Sequence, residues 1–260
     1  MLSSIWVASA LCAAAFAAPT LPFKTDSAAG ATNMAVLSEY FSLLGSKVQE
    51  GKGAAPPVCD LSKAVMPIAS PTPLPPPSAG LTLKHVAIGR GTQNYSCATS
   101  DSSTVPAAIG AVATLYNASC VASTYADILT MLPRVALEFN LTSTTQRELI
   151  PSNLEISGHH FFTTTTTPFF NLDTPAQSLG EAPCSKNNTV SAPANAPIGQ
   201  NNAGFGAVAW LKLVTKPGAT GGLQEIYRLN TAGGNPPPTC AGMPSTFEVQ
   251  YGAEYWFYSH

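Results

Sequence analysis

Charge is what this chain has least of. Lys and Arg number 12 and Asp and Glu 14, so 10% of residues are charged, where about 25% is usual for a globular domain. The net charge is −2 and no basic cluster occurs, so electrostatic binding to nucleic acid or anionic lipid is not expected. Beyond the N-terminus no run reaches the roughly 18 apolar residues of a membrane span. The C-terminal "QYGAEYWFYSH" has no lipid-anchor tail. C-x-x-C is missing, as is any Cys/His spacing of a structural zinc site. There is no G-x-S-x-G elbow, and no two carboxylates form a recognisable glycosidase pair.

What fills the gap is Pro (23), Gly (20) and many small polar residues. The chain starts "MLSSIWVASALCAAAFAAPTLPF", apolar from about Ile5 to Phe16, with Ala15-Phe16-Ala17 fitting an A-x-A cleavage site. Residues 1–17 are therefore predicted to be a secretory signal. Four N-x-S/T sequons, at Asn94, Asn117, Asn140 and Asn187, become glycan acceptors once export is granted. Cys12 would leave with the signal. Of the remaining five, Cys97 and Cys120 end two neighbouring strand-like runs and are predicted to pair. Cys59 and Cys240, both in proline-rich segments, form the second expected pair, and Cys184 is left over. Disulfides fit an oxidising compartment.

Residues 18–80 read as a helix followed by an extended segment. In "NMAVLSEYFSLLGSKV", Met34, Leu37, Phe41, Leu44 and Val48 recur at steps of three and four, the spacing of a helix face. The "GKGAAPPVCDLSKAVMPIASPTPLPPPSAG" that follows is too proline-rich for helix or central strand. Residues 81–260 have β texture: short alternating or wholly apolar runs between Gly, Ser and Asn. "STYADILTML" is one helical interruption, with Thr124 and Asp127 as a capping box and Pro133 as its stop. "GAVAWLKLVTK" and "GLQEIYRLNT" read as a hairpin around "PGATG". The last strand alternates cleanly. Phe247, Val249, Tyr251, Ala253, Tyr255 and Phe257 face one way, while Glu248, Gln250, Gly252, Glu254, Trp256 and Tyr258 face the other. The fold class is thus mainly β: an antiparallel β-sandwich or barrel with an N-terminal helix and one short helical insertion.

Three groups of residues bear on chemistry. The first is "VAIGRGTQNYSC", which has two glycines of a dinucleotide fingerprint. Its third glycine position is Asn94, no apolar-periodic helix follows, and Asp and Glu are absent from 103 to 126. An NAD-dependent dehydrogenase needs all of these, so that reading is rejected in favour of a glycine-rich tight turn or bulge. The second is His159-His160 with His85. Adjacent strand residues point to opposite faces, so one of the pair with His85 would make a copper or zinc site. The bland alternative is a histidine satisfied by a backbone carbonyl. The third is Trp210, Glu254, Trp256 and Tyr258, an aromatic platform with an acid for stacking sugar rings. Its alternative is a merely solvated sheet face.

Taken together, "GRGTQNYSC", "GAVATLYNASC", "GHHFF", "AVAWLKL", "EIYRLNTAGGNPPPTC" and "VQYGAEYWFY" resemble an uncharacterised domain-of-unknown-function family of secreted fungal and bacterial proteins. Its fungal members often carry the automatic label malate dehydrogenase. The resemblance spans roughly residues 55 to 258 and implies a secreted β-rich domain without an assigned activity. The expectation is a secreted, disulfide-stapled, glycosylated β protein. It would act by binding a carbohydrate or cell-wall ligand, or as a surface component, with no cofactor. The alternative is a secreted metal enzyme using His159 or His160 with His85.

Overall fold

The computed structural model describes residues 29–141 and 147–260. The expected signal, residues 1–17, lies outside the described residues. Among the described residues nine strands form: β1 (Thr82–Ser96), β2 (Ala107–Asn117), β3 (Glu148–Leu149), β4 (Leu154–Thr164), β5 (Thr167–Thr174), β6 (Gln177–Val190), β7 (Trp210–Thr215), β8 (Leu223–Gly233) and β9 (Thr246–Ser259). Three helices accompany them: α1 (Ala29–Glu50), α2 (Ser119–Thr124) and α3 (Ala126–Leu137). Every strand pairing is antiparallel, in the order β2-β1-β9-β8-β7-β6-β5-β4, and β2 also pairs with β4. The sheet therefore closes into an eight-stranded up-and-down barrel, with β3 on the edge of β4. Closure removes free edges, and eight strands leave an interior that side chains nearly fill or that holds one small ligand. The expected hairpin is β7–β8, and "TTTTT" straddles the two-residue β4–β5 turn at Thr165-Thr166.

Alternation along β9 holds, with Tyr251, Ala253, Tyr255 and Phe257 pointing into the barrel among Leu115, Phe170, Cys184, Leu213 and Ile226. The opposite face is not wet. Trp256 and Tyr258 join Val86, Ile88 and Tyr227 beneath Ile128, Leu129, Leu132 and Val135 of α3 and Val36 and Tyr40 of α1. β1, β8 and β9 are thus covered on both sides, which a strand pattern alone does not reveal.

The helices depart from expectation in detail. Pro133 lies inside α3, which continues to Leu137. Tyr125, not Thr124, is the N-cap and makes no side-chain capping bond. A Cβ at Gly252 would overlap the Pro133 carbonyl, so glycine lets α3 lie directly on β9. On α1 the buried stripe is Val36 and Tyr40, with Leu37 and Leu43 half-buried. Met34, Phe41 and Val48 are more than half exposed, because α1 rests on α3 through a neighbouring stripe.

The "GRG" stretch is no turn. Gly89 and Gly91 sit mid-strand in β1, paired on both sides. Their φ values are not positive; closeness is what demands glycine. A Cβ at Gly91 would overlap the Val112 carbonyl oxygen and come within 2.6 Å of Ala113 Cα. The Arg90 between them is buried and caps α3. Its Nε donates to Ala136 O (3.0 Å), which the C-terminal backbone N–H groups also reach, and its guanidinium to Phe139 O (3.0 Å) just past the helix end. This places a positive charge at the negative end of the helix dipole.

The four expected cysteines are bonded, with exchanged partners: Cys59 to Cys120 and Cys97 to Cys240. The β1–β2 ladder shows why. It aligns Ser96 with Ala107 and Ala87 with Asn117. Cys97 and Cys120 therefore lie at opposite ends of a ladder about 30 Å long, beyond the reach of a disulfide. Cys184 is free and buried, and burial pushes its thiol up to about 12. The proline-rich segment is strapped to the barrel wall. The Lys212–Glu225 pair (3.0 Å, both side chains buried) sits under it. Lys212 donates to Pro76 O, Ser78 to Glu225, and Tyr227 to Pro75 O.

Candidate functional site

Inward parity on neighbouring strands brings Gln93 and Tyr95 of β1, His160 of β4, Phe170 of β5, Leu213 of β7, Arg228 of β8 and Tyr255 of β9 around one cavity of about 500 Å³ in the barrel mouth. Exposed Thr165, Thr166, Lys186 and Thr189 form its rim. Below it the barrel is plugged by packed aromatics: His160 stacks on Phe170 (centroids 4.2 Å apart), and Phe170 meets Tyr255 and Phe257 edge-on.

The polar groups of this cavity divide into satisfied and unsatisfied. Tyr95 donates to Gly234 O (2.8 Å), and Tyr251 and Tyr255 share a 2.8 Å hydrogen bond. His160 Nδ1 lies 2.9 Å from Phe169 O, so Nδ1 carries the proton and donates. Burial pulls this imidazole down to about 4, and it is neutral at pH 7. Arg228, 8% exposed, donates to Ala209 O (2.9 Å) and, at 3.4 Å, to Gln93 Oε1. Its Nε, and Nε2 of Gln93 (9% exposed), are buried without a partner. Among the described residues no carboxylate pairs with Arg228 within ion-pair distance, and none lines the cavity. A buried guanidinium with spare N–H groups and no counter-charge is costly. Trp210 Nε1 is also a buried donor without a partner, but it stands alone on its crevice, whereas here a guanidinium and an amide converge on one cavity with polar capacity left for a guest.

A larger groove of about 770 Å³ runs between α1, the loop after it and α2–α3. Its walls are mainly apolar. Its charged members Lys47 and Glu50 pair with each other, and Lys47 also pairs with Asp127. Volume alone does not make it the better site.

The residues singled out from sequence are placed differently. His159 is exposed, His160 faces the barrel interior, and His85 is buried between Ser119 and Ser157 (3.0 and 2.9 Å). The strand pleat separates the first two as expected. No group of three His, Cys, Asp or Glu side chains gathers among the described residues. The sugar-stacking platform does not form, because Trp210, Glu254, Trp256 and Tyr258 are all at least nine-tenths buried. Glu254 accepts from Trp256 Nε1 (2.9 Å) and Asn230 Nδ2 (2.8 Å) beneath α3. Desolvation raises its carboxyl to about 7. Trp210 lines a separate crevice of about 360 Å³ under the proline-rich segment.

Of the sequons, Asn117, Asn140 and Asn187 are exposed and Asn94 is half-buried within the β1 ladders. Asn187 lies where the β6–β7 register shifts, beside the cavity rim. Sequence reasoning assigns no functional role to Arg228 or Gln93, although both stand in the motifs quoted above and Gln93 opens the Gln93-x-Tyr95-x-Cys97 pattern that carries the resemblance. The available signal was parity. Arg228 is two residues from Ile226 in an apolar strand, so a charge shares the core-facing side.

No helix among the described residues is long and apolar enough to cross a membrane. A family model described as "Protein of unknown function (DUF3455)" matches residues 77–259. No curated protein and no solved structure matches the chain.

Proposed function

We propose, from the premise that this chain belongs to the DUF3455 family of unknown function, that it is a binding protein whose barrel mouth holds one small organic molecule. The observation that carries this is the 500 Å³ cavity with two buried, unpartnered N–H donors, Arg228 Nε and Gln93 Nε2. Ligand pockets are of this size, mainly apolar, and fixed in orientation by a few placed polar groups. The mouth of an eight-stranded barrel is such a place.

A neutral fluorescent probe, 1-aminoanthracene, tests the reading. The folded protein should bind it saturably with enhanced emission. Ala209→Trp, which fills the cavity from its wall, should weaken binding about tenfold or more while the protein stays folded. Absence of saturable binding, or equal binding by the filled variant, would overturn the assignment.

The protein is further proposed to work outside the cell. The support is the signal-like N-terminus, the two disulfides and three exposed sequons. Disulfides persist in oxidising compartments, and the small charge count leaves attached sugar as a source of solubility.

A further inference from the structure

We infer that the ligand of the barrel mouth is a small organic carboxylate, its flat apolar body against Phe162, Phe170, Leu211 and Leu213 and its carboxylate turned inward onto Arg228 and Gln93. This rests on the binding reading above and adds the chemical class.

The unsatisfied groups set the head. Both buried orphan atoms in the cavity, Arg228 Nε and Gln93 Nε2, are donors, so the guest must present acceptors. The neighbouring acceptors are already engaged: Gln93 Oε1 by Arg228, Phe169 O by His160, and Gly234 O by Tyr95. A neutral carbonyl would satisfy the hydrogen bonds and leave the guanidinium uncompensated. A carboxylate satisfies both, and charge-assisted bonds to Arg are the stronger kind. One negative charge matches one buried guanidinium. A phosphate dianion would bring excess charge and a tighter hydration shell into apolar walls. Lys186 at the rim adds a positive field across the entrance and draws anions toward it.

The walls set the body. Phe162, Pro168, Phe170, Leu211, Leu213 and Val208 line the cavity and offer no hydrogen bonds from their side chains. That favours a ring or short hydrocarbon over a hydroxyl-rich sugar, whose groups would be stripped of water without replacement.

The test compares 2-naphthoate with its uncharged amide, 2-naphthamide, by calorimetric titration at low salt. Wild type should prefer the acid by about tenfold to a hundredfold, the worth of a charge-assisted hydrogen bond in a buried site. Arg228→Gln should bring the acid-to-amide ratio close to one. Gln93→Glu, which supplies an internal carboxylate for Arg228, should abolish or reverse the preference, and it decides the matter if Arg228→Gln does not fold. Equal binding of acid and amide by wild type overturns the carboxylate assignment and leaves the binding reading standing. So does a preference that survives Gln93→Glu. Binding of neither compound at millimolar concentration overturns both.

Discussion

Glu254 and the two buried histidines show how a few side chains set the response to acid. Glu254 titrates at about 7 in the folded protein against an ordinary 4.5, raised by desolvation beneath α3. The folded chain holds a proton that the unfolded chain releases, so this contribution to stability is present at low pH and declines as pH rises from 4.5 to 7. His85 and His160 do the opposite. Burial lowers each from 6.5 to about 4, so the unfolded chain binds protons first and stability is lost as pH falls from 6.5 toward 4. A tenfold change in proton affinity on folding is worth about 1.4 kcal/mol, and two histidines outweigh one carboxyl. Wild type should therefore lose stability on acidification across this window. Glu254→Gln should make the loss steeper by removing a contribution that opposes it; burial also raises the Glu138 carboxyl, which acts in the same direction as Glu254. Urea midpoints measured from pH 7.5 to 4.5 check this; parallel profiles for the two proteins would refute it. None of this was legible from sequence, where Glu254 stands at an alternate, outwardly polar position of β9. Only the helix lying on that face makes it a buried acid.

At the scale of elements, the proline-rich segment was legible and its anchorage was not. Proline content excluded helix and central strand correctly. The anchorage comes from β7 and β8, more than a hundred residues away, where Lys212 and Glu225 turn outward as a buried pair and meet Pro76 and Ser78. Ser78 and Lys212 hold the Glu225 carboxyl below its ordinary range despite burial, which acts to raise it. Lys212→Met should strand Glu225 without a counter-charge and cost about 3–5 kcal/mol. It should also release the segment near residues 70–78 to limited proteolysis in native buffer. A variant with unchanged melting temperature and cleavage pattern would count against the strap. The β7–β8 hairpin itself was readable from "PGATG" between two apolar runs. The continuation of β1 through Gly89 and Gly91 was not. Glycine more often signals a turn, and here it answers to the Tyr255 ring on one residue and the Val112–Ala113 backbone on the other.

At the scale of the whole molecule, the barrel wall sorts the four sequons. Asn117, Asn140 and Asn187 are exposed, whereas Asn94 is half-buried, paired with Gly110 and Glu248, and accepts from the Thr92 hydroxyl (3.1 Å). On the proposed route outside the cell, expression of the full chain in a glycosylating host should yield secreted protein that loses mass on glycosidase treatment. Peptide mapping should find sugar at one or more of the three exposed sites and little at Asn94. Retention of unmodified protein in the cytosol would contradict the extracellular assignment.

The sequence by itself determined the β texture of residues 81–260 and the two faces of β9, though not every strand's extent. Period-two alternation records a pleat with two different faces, as in Tyr251, Ala253, Tyr255 and Phe257, and the motifs spread over the β region were enough to point to the family. What it left open was everything that depends on closure. Pairing of β2 with β4 decides that the Phe257 side is the inside of a barrel. Ladder direction decides that Cys97 bonds Cys240 and not Cys120. The packing of α3 decides that Trp256 and Tyr258 are core. The candidate site belongs to this second class. Gln93 and Arg228 are 135 residues apart in the chain, and each reads alone as an ordinary polar residue of a strand. They meet only because a closed sheet turns both inward at the same height, where water is excluded and an unpaired donor acquires a cost that a ligand can relieve.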